Sequence, residues 1–442
     1  MHCDELKKRR LELRKCVPSG SILILSATNV PRNYAANTYP FHQDATFRYY
    51  TGLNLPDAAL LIDDSGNETL FVTPPDEDDV IWTGAVDSPE TLATRCGIEN
   101  VADYNNLPRF IHTCTHWCAP YDGILQLRLA TWLGISPLAL KSHASHELSR
   151  AIIEQRLVKS NSEIEELEEA IGLTQIMLEA AKCEMLPGRR EADVCAALLR
   201  PAIAQSRAQS FEPIVTTHGE TLHSTTYRHL LNEEDLLLID CGAESLNGYC
   251  ADISRTFSIG KWNTAKREIY EAVLKTQKTG IAKTAEKNAS QYDVHMAACL
   301  ELTKSLIEIG LMKGNPNDAV AVGAHALFMP HGIGHALGLD AHDMENFGDD
   351  VGYTDGAKRS EQFGLNALRF HRKLRPGFVV TIEPGCYFIP ELIDRWQAKR
   401  HLSDFICYDT VEKFRDMRGV RIEDDILITP TGSRVLGPGI DK

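Results

Sequence analysis

Three apolar runs in the second half of this chain meet an acidic side chain at one end. Leu236 to Ile239 runs into Asp240, Phe378 to Ile382 runs into Glu383, and Ile426 to Ile428 follows Glu423. Short continuous apolar runs bounded by turn residues read as buried strands. A carboxylate delivered at the edge of such a strand costs several kcal/mol unless it finds a partner. Three such places in one domain point to a shared cation. Asp252 joins them, twelve residues after Asp240 with Gly242 and Gly248 between. That interval suits a hairpin whose strands project carboxylates toward one point. The segment PHGIGHALGLDAHD adds His331, His335 and His342. Two Asp, one His and two Glu make a hard-to-borderline donor set, suited to Mn, Co, Zn or Fe rather than to a thiolate site. Five such ligands can hold two ions about 3.5–4 Å apart, which lower the pKa of a bridging water and polarise a scissile carbonyl. Each residue taken singly is a turn former or a core histidine; the set carries the inference.

At 442 residues the chain has room for two or three domains. The first 150 residues alternate short apolar runs with turns: Ile22 to Leu25, Ala58 to Ile62 and Leu70 to Thr73 read as strands, with helical stretches between them. This half is an α/β domain. A boundary is expected near residue 157, giving domains 1–157 and 158–442. Just beyond it, Ser160-Asn161-Ser162-Glu163 fits a capping box. The helix it opens should stop near Pro187-Gly188, and a second should run from about Glu191 to Gln205.

The formal net charge of -15 argues against a nucleic-acid or anionic-membrane surface, since both recruit clusters of Lys and Arg. The N-terminal stretch is charged and no apolar run is long enough to span a bilayer. The twelve cysteines are then expected as free thiols in a reducing, cytoplasmic setting. Cys114 and Cys118 are the closest pair, with no further zinc ligands at suitable spacing.

In order and approximate spacing, the segments around Asp240, Asp252, His335, Glu383 and Glu423 resemble the pita-bread metallopeptidases, which include methionine aminopeptidase, aminopeptidase P and prolidase. The resemblance covers roughly residues 158–435. The stretch FHQDATFRYYTGLNLPDAALLID, residues 41–63, is similar to the N-terminal domain of the aminopeptidase P and prolidase branch. The resemblance implies an α/β (α+β) chain with a creatinase/aminopeptidase P-type N-terminal domain and a C-terminal pita-bread domain. It implies two divalent ions, Mn first and Co, Zn or Fe as alternatives, and cleavage before proline through a metal-bridging hydroxide. By the same resemblance, Asp240 is a terminal ligand and Asp252 a bridge. His335 binds the other ion, Glu383 is both ligand and proton shuttle, and Glu423 is the second bridge. His331 and His342 would stabilise the developing oxyanion, and His223, Arg369 and Arg421 would bind substrate. The expected assembly is a homodimer or tetramer. Trp82 reads chiefly as a core tryptophan, its other reading being approach to a partner's site.

Within the branch, two features resemble prolidase and favour a dipeptidase that releases proline from Xaa-Pro. One is Arg369, matching an arginine that receives the dipeptide carboxylate. The other is the forty-residue interval from Glu383 to Glu423. The alternative is an Xaa-Pro aminopeptidase acting on longer peptides; a metal-free binding module of the same fold is a third class. Three departures stand out. The Asp240–Asp252 interval is one residue longer than usual and is expected to be absorbed as a bulge. THGET replaces the usual loop before His223, and Phe211 stands where relatives often have tyrosine.

Overall fold

The three apolar runs of the first half supply three strands of a four-stranded sheet, and the partly buried segment Asn100–Asp103 adds the fourth at its edge. Its strands are β1 (Ile22–Leu25), β2 (Ala58–Ile62), β3 (Glu68–Val72) and β4 (Asn100–Asp103), hydrogen-bonded in that order. The first two pairings are antiparallel and the last is parallel. Both β1 and β2 are buried along their whole length, which explains why they lack polar alternation. β3 begins at Glu68, two residues before the expected apolar start, because the pairing with β2 continues through Thr69 and Glu68. The helix Ala45–Thr51 opens on Asp44, whose side chain accepts from the Phe47 amide at 2.8 Å, and closes on left-handed Gly52.

In this computed structural model, which describes residues 3–76, 78–354 and 356–442, the chain divides into two units, Met1–Arg156 and Leu157–Lys442. Trp82 corrects its expectation. It is 83% exposed, so it is not a core residue of the first unit.

The second unit opens with the helix Asn161–Lys182. Its capping box is formed: the Ser160 hydroxyl accepts from the Glu163 amide at 3.4 Å, and the Glu163 carboxylate accepts from the Ser160 amide at 2.9 Å. The helix stops at Lys182, earlier than Pro187, and the next one runs over Glu191–Ala204. Two further helices, Thr264–Thr284 and Gln291–Ile309, pack on the strands.

The strands that matter for the site come in two groups. β5 (Ile214–Thr216), β6 (Leu236–Cys241) and β7 (Ile253–Ser258) form an antiparallel meander. β8 (Val379–Ile382) pairs with β11 (Asp424–Thr429), β9 (Gly385–Tyr387) pairs with β10 (Gly419–Arg421), and β12 (Gly432–Val435) flanks β11. Ile382 lies opposite Asp424, and Gly385 lies opposite Arg421, so both ladders share one register. They are one long antiparallel pair interrupted at Glu383-Pro384 and Ile422-Glu423. Pro384 has no N–H to give the ladder, which accounts for the break.

Candidate active site

In the β6–β7 pair Asp240 lies opposite Ser254, which makes Asp252 its diagonal neighbour on the same face of the sheet. Gly242 stands across from Asp252. A Cβ there would sit 1.7 Å from the Ala251 carbonyl oxygen, so only glycine lets the two strands close at this point. The bulge expected between the aspartates does not occur. Cys241 pairs with Ile253, and Glu244 bridges Cys250 in the same register, so the hairpin continues unbroken. The added residue lies in the turn, where Gly248 takes a φ of 82° and its amide donates to Ser245.

Glu383 and Glu423 face each other across the interruption in the long ladder. Like charges directly opposite on a ladder repel. The Glu423 amide donates to the Ser254 carbonyl at 3.0 Å, which brings this break against the β6–β7 hairpin. His335 arrives from a loop that is stitched to β8. Its carbonyl accepts from the Thr381 amide at 3.0 Å, and its amide donates to the Thr381 hydroxyl at 3.1 Å. Gly334 makes that approach feasible, since a Cβ there would lie 1.9 Å from the Thr381 carbonyl oxygen.

Several of the expected ligand side chains lie together. Ligand atoms of Asp252, His335 and Glu423 all lie within 4.8 Å of one another. His335 Nε2 is 3.4 Å from Asp252 Oδ2 and 3.6 Å from Glu383 Oε1. One oxygen of Asp240 and one of Glu423 are buried without any hydrogen-bond partner. Burial pushes the Asp252 carboxyl well above its usual range, and the charge of Asp240 adds to it. Burial, then Asp252, Glu383 and Asp240, does the same to Glu423; Glu383 is raised as well. Crowded carboxylates with unpartnered oxygens and one imidazole are the donor chemistry that divalent cations satisfy.

The remaining expected residues divide. Arg421 is buried and grips the site from the wall of the cavity. Its Nη2 donates to Asp240 Oδ2 at 2.6 Å, its Nε to the Ser254 hydroxyl at 2.9 Å and its Nη1 to the Tyr387 hydroxyl at 3.3 Å. His331 donates from Nδ1 to the Gly332 carbonyl at 2.8 Å, while its Nε2 meets the Tyr387 hydroxyl at 3.0 Å. Burial, assisted by Arg421, lowers its pKa to about 4, so the ring is neutral and Nε2 is the acceptor. His342 stacks on His335 with ring centroids 3.9 Å apart, and its Nδ1 lies 3.1 Å from Glu345. Arg369 donates to the same Glu345 carboxylate at 2.7 Å. His223 lies in a loop at the mouth, where burial and then Arg421 lower its pKa. All of these line one cavity of about 530 Å³, together with Phe211.

Sequence reasoning missed Ser254, Tyr387 and Glu345. Ser254 was legible: it follows Asp252 at the two-residue period of a strand, as Glu423 follows Arg421. Its hydroxyl donates to Glu423 Oε2 at 2.9 Å while accepting from Arg421. Tyr387 and Glu345 come from distant segments, and nothing in their local pattern marks them.

Residues 165–430 match Metallopeptidase family M24, and residues 6–118 match the Aminopeptidase P, N-terminal domain. The chain belongs to the M24 family and is a metallopeptidase; the binding-module reading falls away. The family implies divalent metal ions, and the donor set described above fits them. Among similar proteins, a probable Xaa-Pro aminopeptidase of Fusarium vanettenii is 33% identical over 96% of this chain and 91% of its own length. Another from Ajellomyces dermatitidis is 32% identical over 89% of this chain and 84% of its own. A solved histidine-to-alanine variant of Escherichia coli aminopeptidase P superposes with a TM-score of 0.82 at 26% identity, covering 100% of this chain and 96% of that one. The proline aminopeptidase P II of Yersinia pestis gives 0.82 and 26%, covering 100% and 97%.

Proposed function

We propose that this chain is an Xaa-Pro aminopeptidase, removing the N-terminal residue from peptides whose second residue is proline. The dipeptidase expectation yields to its alternative for three reasons. The relatives just described carry the aminopeptidase name. The observation that carries the reading is Arg369: its guanidinium already faces Glu345 at 2.7 Å, and that carboxylate is held ionised. Burial works against the Glu345 charge, but His342 and Arg369 overcome it and hold the pKa at about 2. That contact gives Arg369 a partner within the chain, which weakens the case for it as a dedicated receiver of a dipeptide carboxylate. The long interval before Glu423 also loses its weight. It folds into the helices Pro390–Ala398 and Tyr408–Lys413, which bury Leu392, Ile393, Trp396 and Val411 in the core, away from the cavity lining.

The ligand set proposed is Asp240, Asp252, His335, Glu383 and Glu423, holding two divalent ions, Mn in first place. When bound, such ions lower the pKa of water and polarise a carbonyl. A solved relative is described as zinc-substituted E. coli aminopeptidase P with product, so manganese remains a proposal for this chain. Glu383 has its proton affinity raised by burial, which suits it to accept and return a proton beside the scissile bond. Arg421 and Ser254 fix the orientation of Asp240 and Glu423. His342 is positioned to donate toward the developing oxyanion, while neutral His331 orients Tyr387. A proline amide has no N–H, so the site recognises ring shape and the carbonyl rather than an amide donor. A reducing, cytoplasmic setting is proposed for the chain's twelve thiols. A homodimer is proposed alongside it.

The deciding experiment compares alanine release from Ala-Pro-Ala with proline release from Ala-Pro, using Mn-loaded protein. Strong preference for the tripeptide is expected. Preference for Ala-Pro would restore the dipeptidase, a reading that Arg369 favours only by lining the cavity.

A further inference from the structure

Among the described residues a second cluster of metal-competent side chains lies apart from the carboxylates. His295 and Cys299 are four residues apart on the helix Gln291–Ile309, so they share one face. His325 comes from the short 3-10 turn Ala324–Leu327. Candidate ligand atoms of the three all lie within 4.8 Å of one another. The Cys299 sulfur is 3.4 Å from His295 Nε2, and the two imidazole centroids are 6.4 Å apart. None of the three lines the carboxylate-bearing cavity.

Their burial is what calls for an explanation. The residues are 1%, 0% and 2% exposed. They are surrounded by the apolar core that contains Leu302, Leu327, Phe328 and Met329. His295 Nδ1 and both ring nitrogens of His325 have no hydrogen-bond partner. A buried polar group left without a partner destabilises the fold. A core whose only aim was packing would hold a leucine or phenylalanine more cheaply at 325. Burial also lowers the pKa of His295 to about 3 and of His325 to about 4. Both rings are therefore neutral near pH 7, the form that ligates.

We propose that His295, Cys299 and His325 form a second metal site, separate from the carboxylate centre, that takes one soft monovalent cation, Cu(I). The donor types select the ion. One sulfur and two imidazoles prefer a soft or borderline metal over the hard cations suited to four carboxylates. The surroundings select the charge. Cys–SH loses its proton to solvent as the S–Cu bond forms, so thiolate plus Cu(I) is neutral overall. Zn(II) on the same donors would leave one net positive charge in an apolar core, with the desolvation cost that brings. No change of oxidation state is involved.

The test uses the full Mn-loaded chain, expressed with added copper and purified without oxygen in the presence of a competing Cu(I) chelator. Metal content and copper X-ray absorption are the readouts. One retained copper per chain, with one sulfur and two nitrogen neighbours, is expected. Cys299→Ala and His325→Phe should each lose that equivalent while keeping their Mn content and folded circular dichroism. Cys299→Ala leaves the core volume nearly unchanged, so it serves if His325→Phe folds poorly. No retained copper in the wild type, or equal copper in Cys299→Ala, would overturn the site. Retention of Zn(II) on these three residues in preference to Cu(I) would overturn the choice of a monovalent ion.

Discussion

At the residue scale the site is a problem of unbalanced charge. Asp240, Asp252, Glu383 and Glu423 converge with little opposite charge to balance them: buried Arg421 pairs with Asp240, while buried Arg255 reaches the Glu423 backbone carbonyl and pairs its charge with Asp424. Asp252→Asn is expected to abolish bound metal and hydrolysis together. The loss should exceed the roughly 10–100-fold typical of an outer partner. Full turnover by that variant would sink the ligand assignment. Ser254→Ala tests such an outer partner. Losing the hydroxyl between Arg421 and Glu423 should lower metal affinity about 10–100-fold in a metal titration while leaving the fold intact. Arg369→Ala separates the two peptidase readings. If Glu345 is its main partner, kcat/KM should fall by similar factors for Ala-Pro-Ala and Ala-Pro. A loss confined to Ala-Pro would make Arg369 a carboxylate clamp.

At the scale of elements, glycine and proline set the geometry that side chains then exploit. Gly242 lets β6 and β7 close beneath the two aspartates, and Gly334 lets the His335 loop lie on β8. Gly334→Ala drives a methyl into the Thr381 carbonyl. It is expected to cost about 1–3 kcal/mol in denaturant unfolding and to weaken metal binding by displacing His335. Unchanged stability with full metal content would show that the loop has slack which the structure does not reveal. Pro384 interrupts the ladder where Glu383 must leave it. The strands and the first two helices of the second unit were legible because apolar runs and a capping box are local signals. The helix end at Lys182 was not, because Pro187-Gly188 marks a turn after the helix rather than its last residue. The extra hairpin residue was legible as a count, but whether it became a bulge or a longer turn depended on the register of β6 and β7.

At the scale of the molecule, the active site costs stability when metal is withdrawn. Asp252, Glu383 and Glu423 have raised pKa values, so the folded state holds their protons more tightly than the unfolded chain does. Groups of this kind lower stability as pH rises from the unfolded carboxylate range, about 4, toward their folded values. The gap in thermal midpoint between metal-loaded and chelated protein should therefore widen from about pH 5 to about pH 8, with metal binding itself favouring deprotonation in the same direction. A constant or shrinking gap would mean these carboxylates are not held near one another.

The five candidate ligands, the class of cation and the two-part organisation were all legible in the sequence. Strand-edge carboxylates and their spacing are local features, and a family resemblance ordered them. Tertiary structure alone decided the rest. It gave Arg421 to Asp240 and Arg369 to Glu345, turned Trp82 outward, and brought His295 and Cys299 up against His325. Each of these depends on which distant segment supplies the nearest opposite charge or fills the nearest space. That information is created only when the chain closes on itself, since pairing energies act through contact and not through sequence separation.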